Sequence, residues 1–166
     1  FHPMPKISFF SALPVGTRSM AELAEIELTE GADVDDLKDK INGELPEGID
    51  ISRIEKVSSS GKKLRLKASR FLITLKEATF NETSLMEFLK SKHFEVVKIN
   101  KKGEHTIDAR SLVTAMSLLS PGQIDLTLRQ TDKLTLKPAE IMKGVFSLKE
   151  EDLLNMDILK TEQVFH

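Results

Sequence analysis

The chain has 166 residues, of which 40% are hydrophobic and 30% are charged, and its formal net charge is −2 at pH 7. These values are typical of one large or two small folded domains, and they exclude a global attraction to nucleic acid through net charge. Cysteine is absent, which excludes disulfides, thiolate catalysis and cysteine-ligated zinc or iron–sulfur sites in this chain. The sequence has no run of 18 apolar residues, so no membrane span is predicted. We expect a cytoplasmic protein with no membrane partner.

The first 57 residues predict two strands, a helix and a third strand. A short strand at residues 6–10 follows an extended lead-in set by two prolines, and residues 21–28 alternate apolar and acidic side chains. A helix at residues 34–45 has its apolar residues at helical spacing, and Asp33 is placed to cap it. The last strand of this part is expected at residues 49–57.

The rest of the chain predicts a second set of strands and helices. A Ser-Ser-Ser-Gly loop begins at residue 58, and we place a boundary there between domains at residues 1–60 and 64–166. Beyond the loop we expect strands at 64–76, 94–99, 106–119 and 123–129, helices at 84–92 and from 138, a short helix after a capping box at 147–150, and an edge strand within 157–165.

Four places in the chain share a pattern with known proteins. The opening F-H-P-M-P-K-I-S-F-F-S-A-L-P-V-G-T-R-S resembles the segment F-N-P-H-P-K-I-S-F-…-L-P-V-G-…-S of an uncharacterised bacterial family linked to radical-SAM enzymes. The segments I-N-G-E-L-P-E-G at 41–48, D-A-R at 108–110, and K-P-A-E-I at 137–141 with L-K-T at 159–161 are similar to further parts of that pattern. His2 and Met4 depart from it, and Lys137 and Lys160 stand where the family has arginine, so a histidine-based mechanism has little support.

The resemblance implies a protein fused to, or encoded beside, a radical-SAM protein, and a chain that lacks the N-terminal strand and helix of the pattern. With those elements the first half would have the ferredoxin-like order β-α-β-β-α-β. We therefore predict an α+β fold, with an incomplete ferredoxin-like first half (β-β-α-β) and a second α+β unit with an antiparallel sheet. Because a radical-SAM core holds its cluster with three cysteines, that chemistry would belong to the partner. We expect no cofactor, no metal and no catalytic residue in this chain.

Two groups of polar residues are candidates for binding a substrate. The candidates in the proline-rich opening motif, where an anion such as phosphate could be held, are His2, Lys6, Ser8 and Arg18. The later candidates, Asp108 and Arg110, are two apart and would share one face of a strand. The alternatives are that the prolines only fix the path of the backbone and that Asp108 and Arg110 form a structural ion pair.

Charge is unevenly distributed along the chain. Residues 22–55 carry 12 acidic and 3 basic residues, whereas residues 56–103 carry 12 basic and 4 acidic residues. A basic strip without any acidic residue consists of Lys56, Lys62, Lys63, Arg65, Lys67 and Arg70. Such a strip could follow a phosphate backbone, with contacts from Lys62, Lys63, Arg65 and Lys67. The alternative is that the two blocks face each other in the fold or are simply hydrated.

The sequence favours a non-catalytic accessory module that binds a macromolecular substrate, with tRNA or another RNA as the candidate, and presents it to a radical-SAM enzyme. The alternative is a protein-interaction domain that docks the radical-SAM core through the acidic block and binds no nucleic acid. A third hypothesis, a small independent enzyme that uses Asp108 and a histidine, needs a catalytic arrangement that the sequence does not assemble.

Overall fold

The computed structural model describes residues 6–57, 64–100, 103–131 and 136–165. They divide between two compact units, one with residues 1–8 and 24–64 and the other with residues 9–23 and 65–166. The opening motif is thus shared between the units. The predicted domains, 1–60 and 64–166, stay a prediction, and the loop that separates them, residues 58–63, lies outside the described residues.

The described residues form nine strands and four α-helices. In chain order these are β1 (Ile7–Phe9), β2 (Thr17–Ser19), β3 (Ala24–Ile26), α1 (Val34–Glu44), β4 (Leu66–Leu75), α2 (Glu82–Lys90), β5 (Glu95–Asn100), β6 (Gly103–Asp108), β7 (Val113–Ser120), β8 (Gln123–Arg129), α3 (Pro138–Phe146), α4 (Glu150–Leu154) and β9 (Met156–Phe165). A 3₁₀ turn, Ala109–Ser111, joins β6 to β7. The predicted α+β class is confirmed.

The first unit contains residues 7 and 8 of β1, the strand β3 and the helix α1. The predicted cap is confirmed, because the carboxylate of Asp33 accepts hydrogen bonds from the backbone N–H groups of Asp35 and Asp36. The strand predicted at residues 49–57 was wrong. The side-chain amide of Asn42 instead bonds the backbone of Ile51, at 2.7 Å to its N–H and 3.1 Å to its carbonyl oxygen. These bonds give the segment an alternative to a strand partner.

The second unit is built on a five-stranded sheet in the order β2-β9-β4-β8-β7. β2 runs parallel to β9, and the other neighbours are antiparallel. Alternate side chains of β4 and β8 are buried, as predicted: these are Phe71, Ile73 and Leu75, and Ile124, Leu126 and Leu128. The strand predicted within residues 157–165 is confirmed as β9, but its edge position was wrong, because residues 158–160 of β9 pair with β2 on the side away from β4. Only long-range pairing decides that position.

The helices of the second unit complete its core. α3 begins with Pro138 in its first turn and buries Ile141, Met142, Val145 and Phe146, as predicted. α2 begins earlier than predicted, since the side chain of Asn81 accepts a hydrogen bond from the N–H of Ser84. Among the described residues, no helix has both the length and the apolar character needed to cross a membrane.

Candidate functional site: a basic cavity

Three segments that carry the family resemblance meet at one cavity of the second unit, which has a volume of about 330 Å³. From these segments the cavity is lined by Ser11, Ala12, Pro14, Lys137, Pro138 and Lys160. The opening segment reaches β9 because β2 pairs with it in parallel, and β9 pairs with β4 on its other side. The fold thus brings together residues that are more than 100 positions apart in the chain. We call this site the basic cavity.

The walls of the basic cavity are apolar, and its charged lining residues are all basic. The apolar part includes Phe71, Leu112, Leu128 and Leu136, all of which are buried. The charged lining residues are Lys98, Arg129, Lys137 and Lys160, and no aspartate or glutamate of the described residues lines the cavity. Glu22, which lies 2.7 Å from Nζ of Lys160, offsets the charge of Lys160. The remaining basic residues of the lining still give the cavity a positive potential, which favours an anionic ligand.

Lys160 is the most deeply buried charged residue of the cavity, with only 2% of its side chain exposed. Its Nζ lies 2.7 Å from Oε1 of Glu22 and donates a hydrogen bond to Oγ of Ser11 at 3.1 Å. The same Ser11 oxygen accepts a hydrogen bond from the side-chain amide of Gln163 at 3.0 Å. An ammonium group has three N–H donors, and this arrangement uses two of them. The pairing with Glu22 allows a charge to exist at this depth.

Two other basic residues of the cavity lining have fewer side-chain contacts than Lys160. Neither Arg129 nor Lys137 forms an ion pair within the described part of the chain. Lys137 immediately precedes α3, whose N-terminal end carries the positive pole of the helix dipole. The backbone N–H of Lys137 donates to the carboxylate of Glu140 at 2.6 Å, so this acidic group is engaged by the backbone. The basic cavity therefore combines an excess of positive charge with an apolar wall, which suits an anionic group on an apolar or aromatic body.

The predicted residues of the opening motif lie apart from this cavity's lining. His2 is outside the described residues. Lys6 forms an exposed ion pair with Glu27 at 2.9 Å, and Ser8 is exposed on β1. Arg18 donates two hydrogen bonds to Asp157, at 3.0 and 2.5 Å, and these lower the pKa of that carboxyl group below its ordinary value. The substrate roles of these residues stay predictions.

Asp108 and Arg110 have clear structural partners. Oδ1 of Asp108 accepts hydrogen bonds from the N–H groups of Phe94 and Arg110, both at 3.0 Å, and Oδ2 lies 3.0 Å from Nδ1 of His93. The bond from Phe94, followed by that from His93, lowers the pKa of Asp108 below its ordinary value. The expected shared strand face was wrong, because β6 ends at Asp108 and Arg110 lies in the 3₁₀ turn.

The side chain of Arg110 is held by contacts of its guanidinium group that do not involve Asp108. That group donates to the carbonyl oxygen of Val113 at 3.0 Å and lies 5.6 Å from the ring centre of Phe88. Both residues therefore shape the turn between β6 and β7. A role of either residue toward a substrate stays a prediction.

Only part of the basic strip can be located. Lys62 and Lys63 lie outside the described residues, and Arg65 is exposed just before β4. Arg70 is neutralised across the sheet by Asp125, at 2.8 Å from its Nε. Lys67 is exposed, and its carbonyl oxygen accepts a hydrogen bond from the N–H of Gln130, a residue of the cavity lining. Lys67 thus extends the positive surface beside the basic cavity.

The residues of the basic cavity were not among the sequence-predicted site residues. Lys137 and Lys160 were noted only as basic replacements for arginine in the resemblance, and Arg129 and Lys98 stand in otherwise ordinary strands. The sequence indicated this site only through Lys137 and Lys160, because each is a basic residue at a position where the family pattern also has a basic residue. Within the described residues, no group of three His, Cys, Asp or Glu side chains could hold a metal ion.

Comparison with known proteins supports the family resemblance in its general form. A family model described as "Uncharacterized protein conserved in bacteria (DUF2344)" matches residues 1–138, which include Ser11 and Lys137. No curated protein matches the chain, and no solved structure matches it. The prediction of an uncharacterised bacterial family is confirmed: the chain belongs to the family DUF2344.

Proposed function

We propose that this chain is a non-catalytic binding module that holds RNA at the basic cavity and presents it to a radical-SAM enzyme. The observation that carries the proposal is the lining itself, in which four basic residues and, within the described part of the chain, no acidic residue line one volume of the second unit. The chain as a whole is slightly acidic, with a net charge of −2, so this local excess of positive charge is not a consequence of overall composition.

The surroundings of the cavity extend the same surface. Lys67 is exposed beside the lining residue Gln130, and Arg129 lies next to it on β8. Basic side chains that follow one another along a surface neutralise successive phosphates, which is the main source of affinity in RNA binding. The apolar wall supplies a surface on which a base can rest.

The enzymatic partner is the part of the proposal that rests on sequence. The resemblance includes a link to radical-SAM proteins, and the absence of cysteine from this chain means that an iron–sulfur cluster would have to be held elsewhere. A module of this kind would contribute affinity and position, and the partner would contribute the chemistry.

The test is fluorescence anisotropy of labelled bulk tRNA titrated with the protein at about 50 and about 200 mM salt. We compare the wild type with R129E/K137E and with K90E/K92E, a control with the same charge change at residues outside the cavity lining. Loss of two phosphate contacts should flatten the plot of log affinity against log salt by about 1.4 to 1.8 for R129E/K137E. No binding at the lower salt, or equal loss in both variants, would contradict the proposal.

A protein-docking module is the second candidate, and the first unit supplies the observation that favours it. None of its described residues is buried, and several apolar side chains are largely exposed: Ile7, Ile26, Leu28, Ile49 and Val57. The acidic block of residues 22–55 includes most of this unit. If the radical-SAM core docks there, R129E/K137E should retain complex formation on co-purification, whereas neutralising Asp35, Asp36 and Asp39 should abolish it.

A further inference from the structure

The lining of the basic cavity includes hydrogen-bond donors on largely buried residues, and RNA binding at a surface would not explain them. Ser69, on β4, is 6% exposed and lines the cavity together with Phe71 from the same face of the strand. The hydroxyl group of Ser69 makes no hydrogen bond to any described residue. Among the described residues, only Nε of Arg110 is a fully buried side-chain polar atom without a partner, so the hydroxyl oxygen of Ser69 is still reached by solvent. A ligand oxygen in the cavity could therefore take the place of water at this hydroxyl group.

Lys160 supplies a second donor at the same depth. Two of its three N–H groups are directed to Glu22 and Ser11, which leaves the third available. A lysine ammonium binds phosphate as a compact point charge, and a charge-assisted hydrogen bond is about twice as strong as a neutral one. Lys160 and Ser69 thus form a small group of donors suited to several oxygens of one anion.

Size and charge limit which anion fits. A volume of about 330 Å³ is at the lower end of ligand pockets, which span roughly 300 to 1,000 Å³. A volume of this size admits one nucleotide-sized group. A phosphate monoester carries a charge of about −1.5 to −2 at pH 7 and has three free oxygens, so it matches an excess of cations better than an internal phosphodiester.

We infer that the basic cavity binds the phosphate monoester of a single nucleotide, with Lys160 and Ser69 on the phosphate and the apolar wall against the base. The nucleotide is either free or the terminal nucleotide of an RNA. The second source rests on the proposed function, whereas the first does not. Lys98, Arg129 and Lys137 add electrostatic attraction at the rim.

The experiment compares one short single-stranded RNA sequence in three forms, with a 5′-phosphate, with a 3′-phosphate and with hydroxyl groups at both ends. AMP is titrated separately by calorimetry. The proteins are the wild type, S69A and K160M. A terminal phosphate should raise wild-type affinity by about 10- to 100-fold over the hydroxyl form, and S69A should reduce that advantage by about 5- to 10-fold. S69A keeps the cavity charges unchanged, so it tests the site even where K160M fails to fold.

The outcomes separate the two proposals. Preference for one phosphorylated end supports terminal recognition, and binding of AMP without binding of RNA supports a free nucleotide while contradicting the proposed function. Equal affinity for all three RNA forms, with no AMP binding, overturns the phosphate-monoester site and leaves RNA binding intact. Absence of binding to RNA and to AMP overturns both.

Discussion

The ion pair of Glu22 and Lys160 offers a quantitative test, because its two partners differ in burial. Lys160 is 2% exposed, whereas Glu22 is 26% exposed. In E22Q the ammonium group keeps the hydroxyl of Ser11 but loses its counter-charge. Removing one partner of a buried pair costs about 3 to 5 kcal/mol. Because water reaches Glu22, we expect the lower end, a decrease of about 3 kcal/mol in the free energy of unfolding.

The reverse substitution should cost less. In K160M the thioether fills a similar volume, and the carboxylate of Glu22 stays partly hydrated and keeps the hydrogen bond from the hydroxyl of Ser19 at 2.7 Å. We expect a decrease of about 1.5 kcal/mol for K160M. The double variant E22Q/K160M contains no buried charge, so its total decrease should be only about 2 kcal/mol, which gives a coupling energy of about 2.5 kcal/mol.

Urea unfolding followed by far-ultraviolet circular dichroism measures these changes, since the chain has neither tryptophan nor tyrosine for intrinsic fluorescence. The control is D157N, which removes the more exposed ion pair between Arg18 on β2 and Asp157 on β9 and should leave the midpoint nearly unchanged. Additive effects of E22Q and K160M, or a larger effect of K160M than of E22Q, would refute the reasoning, because either result means that Lys160 bears no buried charge coupled to Glu22.

Three further predictions concern the fold. G144A should destabilise the protein by about 1 to 3 kcal/mol in urea unfolding, because the added Cβ would lie 2.8 Å from Cγ2 of Val96, whereas G43A in α1 meets nothing within 4 Å and should stabilise by about 0.5 to 1 kcal/mol. S147G should raise the melting temperature, because Ser147 holds a left-handed conformation at φ 52° that glycine adopts without strain. The pKa of Asp108 is below its ordinary value of 3.8, so its contribution to stability is complete above that value and is lost as pH falls through the lower folded pKa; D108N should flatten this acid-side decline in a pH series of urea midpoints.

Elements with strong local determinants could be predicted from the sequence. The helix cap at Asp33, the proline at the start of α3 and the alternation of β8 are each set by side chains within a few residues, and the structure has all three. The segment 49–57 has strand-like alternation, but the amide of Asn42 binds its backbone and replaces a strand partner. A competing partner eight or more residues away is invisible to a pattern of alternating residues.

The candidate site was harder to predict, because charge along the sequence differs from charge in space. The basic strip was conspicuous as a run, yet Arg70 is neutralised by Asp125, which lies 55 positions later on the neighbouring strand. Lys160 was inconspicuous in the sequence. It becomes the most buried cation because β9 lies inside the sheet, with β2 paired along its other side. Sheet order, which no local pattern determines, decides both outcomes.

A ligand of the proposed kind would account for Lys160 in a way that stability alone does not. A buried ion pair contributes little net stability compared with apolar residues of similar volume, which is why E22Q/K160M is expected to cost less than E22Q alone. Glu22 offsets one cation of the lining, and Arg129 and Lys137 have no such partner among the described residues. Binding of an anion would then stabilise the folded state by mass action, in proportion to the logarithm of its concentration over its dissociation constant. Under the proposed function, Arg129 and Lys137 would supply part of the affinity for that anion.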